Sequence, residues 1–515
     1  MNFMSAVKHT LDNEMNVSVT ENGAVGYRTS GKALLDLNFS VASLRSESEN
    51  EIYRRFMNAF VEDKVLAMKW LFYARDVRGG LGERRLMRVI LPQLVKSNPE
   101  SVLSLIPLIP EYGRYDDLWC LLDDPDAAKL IYAYVDNTLR ADWHRMLANQ
   151  PISLLAKWMP SINASSAQTK KYGKQLCKAL EMSEANYRKS LSRMRKYLDV
   201  VERRMSAKRW EEIKYEAVPS RANLIYNSAF LRNDEARRRE FLAKLNKGET
   251  KINASTLFPH DIVHKYGCGW RSSVPCDQTI EALWKALPDT VKGCGNTIVV
   301  ADGSGSMLSC VGNTSVSALS VANALAIYFA ERSSGQFKDK YITFSENPQL
   351  VDFSGAKTLH HKLQIARLHS EVANTNIEKV FDLILSTAIS NHMNQADLPK
   401  NILIISDMEF DSCAIGINRY GSHVSIVRPD ARMFDIIAQR FRNAGYEMPR
   451  LVFWNVNSRT GTIPVKQNDL GVALVSGFSV NIVKMVMSGK TDPYECLLET
   501  LNSERYALVE EALKK

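Results

Sequence analysis

Apolar and polar residues alternate through NVSVTENGAVGYR, residues 16–28, on either side of Asn22-Gly23. An Asn-Gly turn matches the twist of paired strands, so this segment predicts a short β-hairpin. From about Glu49 the period changes. In NEIYRRFMNAFVEDKVLAMKWLFYARDVRG apolar residues recur three and four apart, the spacing of helices buried along one side. RRLMRVILPQLVKSNPESVLSLIPLIPEY continues this spacing, punctuated by Pro92, Pro99, Pro107 and Pro110, which start or end helices. DDLWCLLDDPDAAKLIYAYVDNTLRADWHRML and PISLLAKWMPSI repeat the style. The pattern predicts a run of short helices of similar length down to about Leu245.

Stacked helical pairs of the HEAT type would produce such a run. No repeat of fixed period is visible, so a less regular helical array fits equally. Near Gly293 the texture switches. NTIVVAD, DKYITFS, KNILIISD, RLVFWNV and GVALVSG read as buried strands, and SALSVANALAIYFAER, NIEKVFDLILSTAI and RMFDIIAQRFRNAG as the helices between them. Continuous apolar strands alternating with helices mean a parallel sheet covered on both faces. The expected fold is α plus α/β. An all-α, HEAT-like domain with a small hairpin at its start covers residues 1–290. A doubly wound parallel-sheet domain with one or two C-terminal helices covers 291–515.

Composition changes this picture little. The 515 residues carry 66 Lys and Arg against 57 Asp and Glu, a net charge of +9. That excess is a weak pointer to an acidic partner such as nucleic acid. The eight cysteines are scattered and form no C-x-x-C pair, which supports reduced thiols over zinc ligation or a disulfide framework. The first residues, MNFMSAVKHTLDNEM, lack the apolar core of a signal peptide, and no apolar run reaches the roughly 20 residues of a membrane span. A cytoplasmic protein without a membrane partner is expected.

The candidate chemistry lies in Asp302-Gly303-Ser304-Gly305-Ser306, directly after the strand NTIVVAD. Ligands of open α/β sheets bind beyond the carboxyl ends of strands. The loop offers one carboxylate and two hydroxyls there. Thr375, just before a helix, and Asp407, directly after KNILIISD's apolar run, add two more oxygens. Five oxygen donors from three loops suit magnesium or another hard divalent cation, and the lack of sulfur or imidazole argues against zinc. The alternative is a plain turn between strand and helix. D-G-S-G-S after a first strand, a threonine in mid-domain and S-D after a later strand resemble the metal-ion-dependent adhesion site of von Willebrand factor A domains. That resemblance implies that Ser304, Ser306 and Thr375 coordinate directly and that Asp302 and Asp407 act directly or through water. It also implies an open position that takes an acidic side chain from a protein partner. Asn374 departs from the glycine common before the threonine. An ion-activated water and a general base are what a metal hydrolase needs, and the loop offers few candidates, so binding rather than catalysis is expected. Glu409 and Asp411 read as groups that support the ligands or face a partner, or as solvated loop carboxylates, the last being favoured.

Two charged junctions interrupt the helical part: YARDVRGGLGERR, residues 73–85, and EYGRYDDLW, residues 111–119. Arg75, Arg78, Arg84 and Arg114 either line a surface for RNA or pair with Asp76, Glu83, Asp116 and Asp117. Their closeness in sequence favours pairing. With SLLAKWMPS and the metal loop, these junctions resemble the TROVE module of the Ro autoantigen family. A closer likeness is to an uncharacterised family of plants and phages with the same D-V-R-G-G…E-R and metal-loop arrangement. The Ro resemblance implies a helical ring that binds RNA beside an A-type domain, a non-enzymatic ribonucleoprotein scaffold. The RNA-binding candidates are Lys170, Lys171, Lys174, Arg188, Arg193, Arg195, Lys196, Arg203 and Arg204, interleaved with Tyr172, Tyr187, Tyr197 and Trp210. Such a stretch can neutralise phosphates and stack unpaired bases. A solvated helical surface, partly paired with Glu181, Glu184, Asp199 and Glu202, is the alternative. So is a metal-dependent protein-interaction adaptor without RNA. His260, in FPHD, fits a ligand, a base or, preferably, a capping or packing residue.

Overall fold

The computed structural model describes residues 4, 15–20, 25–267, 274–291, 296–312, 314–344, 347–369, 377–409, 415–417, 423–425, 433–459, 461–464, 472–483 and 492–514. Two compact units emerge. One comprises Met1–Ser48, Met57–Glu62 and Leu257–Leu501; the other comprises Glu49–Phe56, Asp63–Thr256 and Asn502–Lys515.

The first unit is built on a six-stranded mixed sheet. Its strands are β3 (Thr297–Asp302), β4 (Lys340–Phe344), β5 (Leu350–Asp352), β6 (Asn401–Ser406), β9 (Arg450–Asn455) and β10 (Val472–Ser476), in the order β10-β9-β6-β3-β4-β5. Two antiparallel pairs accompany it: β1 (Val17–Val19) with β2 (Val25–Tyr27), and β7 (Ile415–Ile417) with β8 (His423–Ser425). All pairings in the large sheet are parallel except β4 with β5, so the expected doubly wound sheet acquires an antiparallel edge. The five parallel strands are buried along nearly their whole length, which is why they read as unbroken apolar runs. The helix Ala318–Arg332 packs on β3, β4 and β6. Its residues from Ala318 to Ala330 are buried all round, as its near-continuous apolar sequence demands.

The compact units divide the chain elsewhere than near residue 290, and the reason lies in contacts between distant segments. Tyr27 and Ile463 exchange both backbone hydrogen bonds at 2.8 Å. Asn455 Nδ2 donates to the Phe39 carbonyl at 2.9 Å, and the Ala42 amide donates to Ser476 Oγ at 3.1 Å. A methyl group on Gly26 would sit 2.5 Å from Thr462 Cγ2, so only glycine permits this approach. The hairpin thus belongs with the sheet rather than with the helices. Its Asn22-Gly23 turn lies outside the described residues.

The second unit is helical. Successive helices pack as neighbours: Lys64–Arg75 on Arg84–Ser97, Ala167–Ala179 on Glu184–Tyr197, Ser220–Asn233 on Glu235–Asn246. Lengths are not similar, however. They run from 4 residues in Leu155–Trp158 to 23 in Pro125–Leu147. The helix Ala507–Leu513, expected beside the sheet, packs instead on Lys64–Arg75. Asp76, fully buried, explains this: it accepts hydrogen bonds from Arg505 Nε, from Arg505 Nη2 at 2.8 Å and from the Tyr506 hydroxyl at 3.2 Å. Lys69 Nζ reaches Glu510 at 2.6 Å. Between them, Gly80 lies so close that a methyl group would meet the Tyr73 carbonyl oxygen at 2.0 Å.

Candidate functional site

The chain runs from β3 outward to β4 on one side and later to β6 on the other, so the strand order reverses between β3 and β6. A crevice for a ligand forms at such a switch point. Asp302 ends β3, and Asp407 follows the last residue of β6. Both carboxylates are 1% exposed. Asp302 accepts a hydrogen bond from Ser406 Oγ at 2.7 Å on one oxygen and from the Ser304 amide at 2.9 Å on the other. The hydroxyls of Ser304 and Ser306 are 2.9 Å apart. Four of the five expected donors are therefore on two adjacent turns. Thr375, its neighbour Asn374 and Asp411 lie outside the described residues.

Asp407 is the least satisfied of the set. One oxygen accepts the Glu409 amide at 3.3 Å. The other is buried with no well-aligned hydrogen bond among the described residues, 3.7 Å from Arg459 Nη2. Burial pushes the Asp407 carboxyl up to about 7, and the neighbouring Asp302 carboxylate pushes the same way. The Ser306 hydroxyl, the Glu409 amide and the Arg459 guanidinium pull it back only in part. The turn is held by Met408, a non-glycine residue at φ 64°, whose amide donates to Ser406 Oγ at 3.0 Å. Side chains other than glycine adopt that region only when their surroundings enforce it.

Glu409 corrects one expectation. It is buried rather than solvated, and its Oε1 accepts the Arg459 amide at 2.8 Å. It fixes the chain that carries Arg459 and does not face solvent. Among the described residues no three His, Cys, Asp or Glu side chains converge as a metal-binding group. The donor set here is two carboxylates with two hydroxyls, the chemistry of a hard cation. His260 is a packing residue, stacked on Phe258 and edge-on to Phe478 with centroids 5.0 Å apart.

The basic candidates divide into two groups. Lys170, Lys174, Arg188 and Lys196 are exposed, and form no ion pair among the described residues. Arg203 is half-buried. Arg193 is exposed, with its guanidinium 4.9 Å from the Trp143 ring centre. The others are engaged. Lys171 pairs with Asp123 at 2.5 Å, and Arg204 with Asp199 through two hydrogen bonds. Arg195 donates to the carbonyls of Ala156 at 2.7 Å and Met159 at 2.9 Å. It is a clamp on the chain around Leu155–Trp158, not a free phosphate ligand. Tyr187 is buried and donates to the Pro160 carbonyl, so it cannot stack on a base.

Apart from Asp76, which meets Arg505, the charged junctions pair with each other. Arg75 meets Asp117 at 2.7 Å, Arg88 meets Asp117 at 2.7 Å, and Arg84, Arg88 and Arg114 all lie within 3.2 Å of Asp116. Arg88 escaped the sequence reading because it sits inside a helix, one turn beyond the junction.

Residues 296–512 match the model of a domain of unknown function, DUF7788, and residues 133–296 match that of another, DUF2828. The chain is 30% identical over 539 residues to "Uncharacterized protein L728" of Acanthamoeba polyphaga mimivirus, across 96% of this chain and 88% of that protein. This chain belongs to the family of that mimiviral protein. Among solved structures, the family member described here is similar to the Deinococcus radiodurans Ro (RSR) protein, with 13% identity, a TM-score of 0.40, and coverage of 90% of this chain and 92% of that one. Among its described residues no helix is long and apolar enough to cross a membrane.

Proposed function

We propose that the protein is a non-enzymatic, RNA-binding scaffold whose sheet unit carries a magnesium site of the von Willebrand factor A adhesion type. Asp302, Ser304, Ser306 and Asp407, with Thr375, would hold the cation. A bound magnesium ion supplies positive charge and a position for a carboxylate from a partner protein. The observation that carries this reading is the pair of buried carboxylates, Asp302 and Asp407, side by side at the switch point. The half-exposed Arg459 lies 3.7 Å from Asp407. Two buried like charges are costly unless a counter-charge joins them. Chelator-sensitive capture of an acidic peptide or protein, lost in Asp302→Ala while the variant stays folded, tests it. Capture that survives both EDTA and the substitution overturns it.

The RNA part is supported by the exposed cations Lys170, Lys174, Arg188 and Lys196. Reversing Lys170, Lys174 and Arg188 together is expected to lower RNA affinity and flatten its salt dependence. Arg195 is excluded from that test, because losing its carbonyl contacts would unsettle the fold. The engagement of Lys171, Arg195 and Arg204 favours the second reading, a metal-dependent protein adaptor without RNA. Unchanged RNA affinity on charge reversal, with chelator-sensitive protein capture retained, would select it.

A further inference from the structure

The helical unit contains a cavity of about 760 Å³, within the range of small-molecule sites. Aromatic rings form part of its wall: Trp119, Trp158 and Tyr172. Arg84, Arg88 and Lys157 form another part. The first turn of the helix Ala167–Ala179 lines it through Gln168 and Thr169, whose amide already donates to the capping Ser166 Oγ at 3.3 Å, and the positive end of the helix dipole favours an anion there.

The charges around this cavity do not balance. Among the described residues, Arg75, Arg84, Arg88 and Arg114 share Asp116 and Asp117 alone, which leaves an excess of two positive charges. Lys157 and Glu202, 4.0 Å apart on the cavity wall, offset each other, and Arg195 adds a further positive charge to the lining. Burial first, and then the neighbouring guanidiniums, hold Arg84 and Arg114 below the ordinary arginine value. An anion in the cavity would relieve that repulsion. The Trp158 ring is held by cations, with the Arg114 guanidinium 4.3 Å and Lys157 Nζ 5.7 Å from its centre.

We infer that this cavity binds a nucleotide unit, with its phosphate against Arg84 and Lys157 and its base against the Trp158 and Tyr172 rings. A carboxylate ligand would use the cations but leave the rings idle; a nucleotide uses both. The inference rests on the RNA reading for one of its two sources, a nucleotide within single-stranded RNA. A free mononucleotide offers the same chemistry.

The full chain is titrated with AMP, UMP, adenosine and inorganic phosphate, following tryptophan fluorescence and ligand-detected NMR. Saturable binding of AMP and UMP is expected, with adenosine and phosphate each about tenfold weaker or more, as loss of a charge contact or of base stacking requires. Arg84→Gln, at a partly solvated guanidinium, is expected to weaken AMP while thermal stability is kept. Lys157→Gln is the second variant should the first unfold. No saturable nucleotide binding to the wild type overturns the inference, as does phosphate binding as tightly as AMP. Competition between AMP and an oligo(U) strand assigns the site to RNA. AMP binding without RNA binding keeps the cavity proposal and removes the RNA reading. RNA binding that depends on Lys170, Lys174 and Arg188, with no nucleotide binding, does the reverse.

Discussion

Two pairs of aspartates show how differently one side chain is used. In the helical unit, Asp116 and Asp117 meet guanidinium nitrogens from Arg75, Arg84, Arg88 and Arg114. In the sheet unit, Asp302 and Asp407 are each 1% exposed; Asp302 accepts from the Ser406 hydroxyl and the Ser304 amide, and Asp407 accepts the Glu409 amide and lies 3.7 Å from Arg459. The first pair supplies fixed countercharge to cations already in the fold and locks helices together. The second sets two carboxylates on adjacent turns, where burial and mutual repulsion oppose the ionisation of Asp407. A carboxylate pair ringed by guanidiniums is architecture; the sheet pair is the one we propose to hold an external cation.

The largest test of this contrast is Asp117→Asn, which strands Arg75, buried at 5% side-chain exposure, without its partner. Loss of one partner of a buried pair costs about 3–5 kcal/mol, to be read from urea unfolding of the helical unit. A loss below about 1 kcal/mol, the worth of a surface pair, would erase the distinction. Next comes Asp407→Asn. Removing one of two like charges is expected to leave the metal-free protein as stable as wild type or more so, because Asp407 is charged against its surroundings. Magnesium at 100 times its dissociation constant should raise wild-type stability by about 2.7 kcal/mol and the variant's not at all, measured by thermal shift.

Acidity sharpens the comparison, because the two pairs respond with opposite sign. Despite burial, the charges of Arg75 and Arg88 lower the Asp117 carboxyl below its ordinary 3.8. Its contribution is therefore complete above that value and lost as pH falls below it. Asp407 is raised from 3.8 to about 7, so its contribution is complete below 3.8 and lost as pH rises toward 7. Hydrogen exchange resolved by unit, without divalent cations, should show the helical unit weakening on acidification and the sheet unit weakening toward neutral pH. Magnesium should abolish the second trend and leave the first. The smallest effect is that of Arg459→Ala. It removes a partly exposed charge 3.7 Å from Asp407 and is expected to change stability by about 1 kcal/mol or less while strengthening the dependence on magnesium.

The sequence disclosed what depends on neighbours along the chain. Five sheet strands are continuous apolar runs, and Asp302 and Asp407 stand out because each directly follows one. The three-residue strands β5, β7 and β8 are too short to impose a period and, unlike β1 and β2, flank no Asn-Gly turn, so they left no trace. Ser406 was visible only as half of a Ser-Asp step; its bond to Asp302 depends on which strands are adjacent. Arg195 looked like one more cation in a basic stretch, since nothing local announces that the carbonyls of Ala156 and Met159 will close on it. The hairpin was placed correctly as a hairpin but assigned to the helices, because its partner Ile463 is remote in sequence.

Asp76 and Arg505 are separated by 429 residues. During synthesis the helical unit emerges early, yet its closing pair cannot form until Arg505 has left the ribosome. At about 5–20 residues per second, that interval is roughly 20–90 s. Through it the Asp76 turn has neither the guanidinium nor the Tyr506 ring that later covers it. A unit made early is thus completed among the last, and until then the Asp76 turn stays open to proteases and chaperones.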